Sequence, residues 1–298
     1  MQPSREQPPA VRLSKPLSFD LELPPLPATV AQVSEILAAG AQQADFARLT
    51  QIIERDVATS VAVLRRVNSA YYGLRVRVSD IGRAVRLLGL VEVSNIVTTI
   101  SMLRLRNLMR TEEQVRIYRQ LLTYSLGTAF FAQFLADSLK LAAKALAFTG
   151  GLLHNVGALV LLYNEPELYE AIWYGAADGR VPSVEEERAI LGIDHVQVGA
   201  HAVREWHFAE ELEWLITYQG DPEALPHSLK PLGYALAVGK WVGYALPLTP
   251  HLDWQALAEK RAFRNLCASA DAEPKQVLVL LQHQLARGKE FLHTAVEA

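Results

Sequence analysis

The stretch Gly151-Leu152-Leu153-His154-Asn155-Val156-Gly157 decides how the chain is interpreted. A His followed by an Asp inside an apolar helix can place an imidazole and a carboxylate together on a divalent cation. Here the second position is Asn155, whose neutral amide is a much poorer ligand for a hard cation. Gly157 closes the stretch and favours close helix packing or a bend. The stretch therefore has the setting of a metal-binding helix without its carboxylate.

Apolar residues recur at helical spacing in nearly every segment around this stretch, and no alternating segment of useful length is found. This pattern predicts an all-α protein. The predicted helices cover 29–39, 45–55, 58–70, 79–88, 91–105, 111–140, 145–162, 166–176, 183–191, 195–206, 209–219, 228–245, 253–266 and 274–295. Ser79 is predicted to cap a helix that stops at Gly89, and Ser183 with Glu186 reads as a capping box. Thr111 and Gln114 form a second such pair.

The composition is that of an ordinary globular chain, and the sequence divides it into four parts. Half of its residues are apolar, a fifth are charged, and the net charge of −3 gives no global reason to expect nucleic-acid or membrane binding. Residues 1–21 lack an apolar core and are expected to be a disordered leader. We expect an N-terminal helical lobe over 22–107, a helical bundle over 108–248 and a two-helix C-terminal extension over 249–298.

Two further features bear on the compartment of the protein. Cys267 is the lone cysteine, so an internal disulfide or a Cys-rich zinc site is excluded, and a reducing cytoplasm is expected. The longest apolar run, 142–163, is interrupted by Lys144, His154 and Asn155. A buried helix is therefore favoured over a membrane span.

Charge is segregated along the chain. Residues 60–119 contain eleven Arg and no Lys against four acids, whereas residues 165–223 contain fourteen acids against three Arg. Such segregation fits two solvated faces, two lobes that attract each other, or an interaction surface.

Several motifs occur in an order that resembles the HDOD domains, the HD-related output domains of bacterial signalling proteins. The resemblance covers about residues 22–245. It rests on Leu23-Pro24-Pro25-Leu26-Pro27, Asp56 followed by Leu64–Tyr72, Ala84–Gly89, Gly151–Gly157, and Asp194–Ala200 followed by Glu205-Trp206. The fold that it implies is a multi-helical N-terminal lobe packed on a bundle related to HD phosphohydrolases.

The resemblance also implies where a metal site would lie. HD phosphohydrolases bind metal through an early His, the His-Asp pair and a later Asp. These positions correspond here to Tyr124, to His154 with Asn155, and to Lys240, the last on apolar context alone. One ligand in four would remain, and an ammonium would stand where a cation should bind. The expected site is a degenerate one that holds no metal and no cofactor, without catalytic residues.

Each candidate site has a structural alternative. His154 could be a hydrogen-bonded core histidine and no ligand at all. The segment around Asn68, Ser69 and Tyr72 could simply terminate a helix. Alternatively, these three residues could line a ligand or partner cleft between the lobes, with Arg65 and Arg66 as forked donors to an anion.

The resemblance implies a non-catalytic regulatory module, a response-regulator-type output in bacterial signal transduction. Such a module would bind a protein partner or a small signalling ligand. One alternative is a metal-dependent phosphohydrolase acting on nucleotides or cyclic dinucleotides, with ligands such as Asp178, Asp194 or Asp221. A third is nucleic-acid binding through the Arg-rich lobe, against which the acidic second half argues. The oligomeric state and the partner stay open.

Overall fold

The computed structural model describes residues 21–25, 29–30, 32–33, 36, 46–69, 76–176, 181–247 and 252–296. Throughout these residues the regular structure is helical, with no strand, as the sequence predicted. They form two compact units. One unit contains residues 25–107 and 203–210, and the other contains residues 21–24, 108–202 and 211–296. The leader predicted over 1–21 lies almost wholly outside the described residues.

Three helices of the first unit that lie wholly within the described residues surround one apolar core. They are α1 (Phe46–Glu54), α2 (Val57–Val67) and α3 (Ile81–Arg104). Leu49, Ile53, Val63 and Val67 are among the fully buried core residues, and Phe208 packs against the same core. Each helix buries one apolar face, which is the pattern that the helical periodicity predicted.

Helix α3 is two helical segments joined at a kink. Gly89 has φ 80° and ψ 166°, a conformation open mainly to glycine, so the predicted stop at Gly89 is confirmed. The predicted cap at Ser79 is wrong by one residue. Asp80 is the N-cap, because its carboxylate accepts a hydrogen bond from the backbone N–H of Arg83 at 2.6 Å. A carboxylate at this end also complements the helix dipole.

The second unit is built around one long helix, α4 (Glu112–Ser138). Three later helices pack against it, namely Ala147–Leu153, Lys230–Ala245 and Pro274–Val296, so the last helix docks on the bundle. The remaining helices of this unit are, in order, α5 (Ala147–Leu153), α6 (Val156–Asn164), α7 (Pro166–Gly175), α8 (Val184–Leu191), α9 (His195–Glu205), α10 (Glu210–Thr217), α11 (Lys230–Ala245), α12 (Trp254–Ala258), α13 (Arg261–Ser269) and α14 (Pro274–Val296). The last turn of α9 and the first residue of α10 belong to the first unit.

The two predicted capping boxes have different outcomes. Ser183 and Glu186 form the reciprocal pair of bonds, so that box is confirmed. Thr111 accepts from the backbone N–H of Gln114, but the Gln114 amide oxygen accepts from the N–H of Arg110 and not of Thr111. The second box is therefore only half formed.

Two predicted helices are each divided in the structure. The helix predicted over 253–266 corresponds to two helices in the structure, since one ends at Ala258 and a new one begins at Arg261. The helix predicted over 145–162 is broken between Leu153 and Val156, at the His154–Asn155 pair. Apolar periodicity continues through both breaks, so it could not reveal them.

Among the described residues, two helical segments have the length and composition of membrane spans, Ile81–Leu108 and Lys144–Asn164. In Lys144–Asn164, 83% of the most apolar stretch is buried inside the protein, and in Ile81–Leu108 the figure is 50%. The core helix of a soluble protein passes the same test of length and composition. The burial of Lys144–Asn164 accords with the buried helix predicted from its polar interruptions.

Gly157 allows helices α6 and α9 to touch through their backbones. A Cβ atom at Gly157 would lie 1.9 Å from the carbonyl oxygen of His195 and 2.5 Å from the nitrogen of Gly199. Neither backbone atom can move aside without shifting a helix. Close packing, one of the two roles predicted for this glycine, is therefore its role in the structure.

Gly157→Ala should destabilise the protein by about 3 kcal/mol or more, because overpacking against backbone has no cheap relief. The matched control is Gly175→Ala at the end of α7, where an added Cβ meets nothing within 4 Å. The control should change the free energy of unfolding by less than about 0.5 kcal/mol. Urea unfolding of the three proteins checks this, and equal effects of the two substitutions would contradict it.

Candidate functional site

The His154–Asn155 pair forms the junction between α5 and α6. His154 is the C-cap of α5 and Asn155 the N-cap of α6, and both side chains are buried. The break leaves carbonyl groups without helical partners, and side chains bind them. The His154 ring nitrogen Nδ1 lies 2.6 Å from the Gly151 oxygen, and the Gln219 amide donates to the His154 oxygen at 3.0 Å.

Tyr244 of α11 is the centre of the polar cluster at this junction. Its hydroxyl lies 2.8 Å from Nε2 of His154. The Asn155 amide nitrogen lies 2.7 Å from the same hydroxyl, and the Asn155 amide oxygen 2.9 Å from it. One phenol therefore ties together the two residues that the sequence singled out.

The hydrogen bonds fix the positions of the protons. Burial, reinforced by the nearby Lys240 ammonium, holds the pKa of His154 well below its usual value, so the ring is neutral. Because the Gly151 oxygen can only accept, Nδ1 carries the proton and Nε2 is a bare acceptor. Tyr244 then donates to Nε2, and its oxygen accepts from the Asn155 amide. Burial raises the pKa of the Tyr244 phenol, which keeps this proton in place.

Tyr124 of α4 lies beside Tyr244. The two rings stack with centroids 4.5 Å apart and planes inclined by 23°. Gln120, one turn earlier on α4, donates to the Tyr124 hydroxyl at 2.8 Å. Burial raises the pKa of Tyr124, so this phenol is neutral as well. Tyr124 thus contributes an aromatic wall to the cluster.

Lys240 lies one turn before Tyr244 on α11. Its Nζ atom is 5.5 Å from the centre of the Tyr244 ring and donates to the Gln219 amide oxygen at 3.1 Å. Gln219 therefore bridges the ammonium and the His154 carbonyl. Burial lowers the pKa of Lys240 to about 8, and attraction to the Glu187 carboxylate opposes that shift.

The structure therefore gathers Tyr124, His154, Asn155 and Lys240 around one residue, Tyr244. This donor set does not suit a divalent cation. The imidazole lone pair is taken by a phenol proton, the amide is neutral, and the ammonium would repel the ion. Among the described residues, no group of three or more His, Cys, Asp or Glu side chains could hold a metal.

A second buried polar cluster joins α7, α8 and α9. Glu187 is fully buried and accepts from the Tyr169 hydroxyl at 2.8 Å, from the His195 backbone N–H at 2.7 Å and from His195 Nδ1 at 2.6 Å. Burial, together with this carboxylate, raises the pKa of Tyr169 well above its usual value. These three charge-assisted hydrogen bonds offset much of the free-energy cost of burying the Glu187 carboxylate.

Sequence reasoning missed Tyr244, Gln219 and Glu187. Glu187 stands in the run Glu185–Glu187, which resembles a solvated first turn, and only its spacing of four from the buried Leu191 indicates an inward position. Tyr244 lies four residues after Lys240, so helical spacing could have linked the two. Gln219 gives no signal, since its position depends on how α10 ends.

The cleft predicted around Arg65, Arg66, Asn68, Ser69 and Tyr72 is mostly explained by local structure. Asn68 caps α2 and bonds through its amide to Leu64 and to both backbone groups of Val78. Arg66 pairs with Glu92 at 2.5 Å, and Arg65 is exposed. The Ser69 hydroxyl is buried with no partner, and Tyr72 lies outside the described residues.

Of the three carboxylates named for a metal-dependent alternative, the structure describes Asp194 and Asp221. Asp194 accepts from the backbone N–H groups of Val196 and Gln197 and pairs with Arg188 at 2.5 Å. Asp221 is exposed, and Asp178 lies outside the part of the chain that the structure describes. Asp194 is therefore a helix cap.

The described residues thus have an all-helical fold, with a buried polar cluster at the α5–α6 junction. A family model of the HDOD domain matches residues 23–222. The chain belongs to the HDOD domain family, as its motifs indicated.

Solved structures share this fold. An HDOD domain protein of unknown function from Geobacter sulfurreducens superposes with a TM-score of 0.76 at 18% identity, covering 92% of this chain and 93% of that one. A protein from Shewanella amazonensis SB2B, named as a candidate phosphohydrolase, gives 0.69 at 22% identity, covering 93% and 100%. A protein from Marinobacter aquaeolei VT8, named as a candidate signal transduction protein, gives 0.65 at 22% identity, covering 96% and 62%.

One curated relative is much longer than this chain. An uncharacterized protein of Treponema pallidum (strain Nichols) is 26% identical over 212 residues, which cover 71% of this chain and 40% of the relative. The chain thus matches less than half the length of that relative.

Tyr244→Phe should lower the free energy of unfolding by about 2 kcal/mol, since it leaves the His154 ring and the Asn155 amide without their shared partner. Tyr174→Phe is the control, because Tyr174 is 51% exposed and its hydroxyl accepts a hydrogen bond from the exposed side chain of Arg116. The control should change stability by no more than about 0.5 kcal/mol. Chemical unfolding followed by circular dichroism measures the stability of both variants. An unchanged stability of Tyr244→Phe would contradict the central role of Tyr244 in the polar cluster.

Lys240→Met should remove a pH-dependent part of the stability. The folded pKa is about 8, whereas a free lysine titrates near about 10.4. Between those values the unfolded chain binds more protons, so stability rises with pH in this window. The wild type should gain about 1–3 kcal/mol relative to Lys240→Met between about pH 7 and about pH 10. Urea unfolding of both proteins across this range checks it, and parallel pH profiles would contradict it.

Proposed function

We propose that the chain is a non-catalytic regulatory module of bacterial signal transduction. It acts by binding a protein partner or a small signalling ligand, and it breaks no bond. Membership of the HDOD family supports this role, and so does the name of the Marinobacter protein that shares the fold. The lone thiol, Cys267, is buried and free, which fits a reducing cytoplasm.

The observation that carries the proposal is the hydrogen bond from Tyr244 to Nε2 of His154. Metal-dependent hydrolysis at neutral pH needs a cation that turns water into hydroxide. At this cluster the imidazole nitrogen that would bind the cation already accepts a hydrogen bond from a phenol. An ammonium, Lys240, stands nearby and supplies positive charge without coordination chemistry. We therefore interpret Tyr124, His154, Asn155 and Lys240 as a degenerate HD site.

The phosphohydrolase alternative has a named representative among proteins of this fold, the one from Shewanella amazonensis. Its identity of 22% carries the fold and no activity. Ion pairs in the Arg-rich unit argue against the nucleic-acid alternative. Arg66 pairs with Glu92 and Arg104 with Asp56, so these two cations are already neutralised within the protein. Neither alternative has a built site among the described residues.

The proposal is tested by metal analysis and a hydrolysis assay on one preparation made without chelator. We expect less than one transition metal per chain, and no turnover of bis(p-nitrophenyl) phosphate or of cyclic dinucleotides above a protein-free blank. His154→Ala should match the wild type in both measurements. Chelator-sensitive turnover that disappears in His154→Ala would overturn the proposal and establish the hydrolase.

A further inference from the structure

Helix α2 exposes apolar side chains along one face. Val57 is 77% exposed and Val61, one turn later, is 49% exposed, with the exposed Ala58 beside them. The opposite face, which carries Val63 and Val67, is buried in the core. A helix face that contacts only solvent typically carries polar residues at such positions.

A cavity of about 700 Å³ opens beside this apolar face. Its lining includes Val57 and Ala58 at the start of α2, Ile52 from α1, and the side chains of Arg55, Asp56 and Arg104. The exposed valine and the cavity are thus parts of one surface. Because the lining mixes aliphatic and cationic groups, it suits an amphipathic occupant with negative charge.

The charges at this surface are not balanced locally. Asp56 and Arg104 neutralise each other through two hydrogen bonds of 2.6 Å, and this pairing holds the pKa of Asp56 below its usual value. Arg55 lines the cavity and is exposed, and no partner for it occurs among the described residues. At the other end of the apolar face, two turns after Val57, Arg65 is likewise exposed.

Acidic residues near the face are few. Helix α2 contains none, and the exposed acid that precedes it is Glu54, the last residue of α1. Two exposed cations, Arg55 and Arg65, therefore flank two exposed valines, whereas the acid in the cavity lining, Asp56, is already paired with Arg104. An occupant with apolar residues in its centre and carboxylates at both ends would complement this arrangement.

We propose that the α2 face, with the cavity beside it, docks an acidic amphipathic helix of a partner protein. Apolar residues of that helix cover Val57 and Val61, and a carboxylate enters the cavity to reach Arg55. A second carboxylate pairs with Arg65. This inference rests on the proposed regulatory role and names the chemistry of its partner.

The same observations favour this occupant over others. In a two-fold contact between two copies, the same face would meet itself and bring like cations together. Two valines without an aromatic side chain form a small anchor for a lipid surface. Exposed aliphatic groups at the centre of the face contribute nothing to contacts with phosphates.

The probe is a fluorescein-labelled synthetic peptide of about 18 residues with leucines on one helical face and glutamates beside them. Fluorescence anisotropy measures its binding to the full chain. We expect saturable binding, weakened about tenfold or more by the double substitution Val57→Ser/Val61→Ser and about tenfold by Arg55→Gln, which corresponds to one charge-assisted contact. A peptide with every glutamate replaced by glutamine should bind at least about tenfold more weakly.

The control variant is Val279→Ser on α14, an exposed valine outside this surface. Binding should be unchanged in that variant, and all variants should unfold at the wild-type temperature because the replaced side chains are exposed. The inference is overturned if the peptide fails to saturate, if the double substitution binds as the wild type does, or if the glutamine peptide binds equally well.

Other occupants have their own outcomes. Self-association, anionic vesicle binding or DNA binding that is lost in Val57→Ser/Val61→Ser would assign the face to that occupant and overturn the acidic helix. The result is separable from the hydrolysis assay. Absent peptide binding with absent turnover defeats this inference alone, whereas metal-dependent turnover defeats the regulatory proposal whatever the peptide does.

Discussion

The contact on which the candidate site depends is the backbone approach of α4 to α11 and α5. A Cβ at Gly243 would lie 2.5 Å from the backbone of Gly127, and one at Gly151 would lie 2.5 Å from the Cα of Ala129. Such distances leave no room for a side chain, so the helices touch at these points. Tyr244 follows Gly243 directly, and His154 follows Gly151 by three residues. The close contacts thus bring the two side chains within hydrogen-bond distance.

In the polar cluster, each of three successive hydrogen bonds has one donor and one acceptor. The Asn155 amide donates to Tyr244, Tyr244 donates to His154, and His154 donates to the Gly151 carbonyl. Each group is neutral and partnered, which is the condition under which buried polar groups stabilise a fold. The one charge, on Lys240, is partly buried beside this neutral chain and is attracted by the Glu187 carboxylate. That attraction offsets part of the ammonium's desolvation and accounts for a pKa that falls no further than about 8.

Periodicity and cap chemistry were enough to predict the all-helical fold, the end of a helix segment at Gly89 and the Ser183 capping box. They could not reveal the break at His154–Asn155, because the residues on both sides are apolar and the break is stabilised by Gln219, which lies in the turn after α10. Ser79 and Asp80 are both good caps, and only the geometry distinguishes them. The cluster around Tyr244 depends on side chains from α4, α5 and α11. Contacts between helices so distant in sequence leave no local pattern.

The polar cluster around Tyr244 and the α2 face differ in what they offer to a binding partner. A cluster in which Tyr244, His154 and Asn155 are already hydrogen-bonded to one another offers little to a ligand, since any newcomer must break bonds already made. The α2 face is the reverse case, with exposed valines and an exposed guanidinium that lines the cavity and has no partner among the described residues. Two valines and two arginines make a small interface, and small interfaces with charged rims give fast, reversible complexes. Reversible binding is what a signalling output requires, so the affinity expected of this face and the proposed role agree.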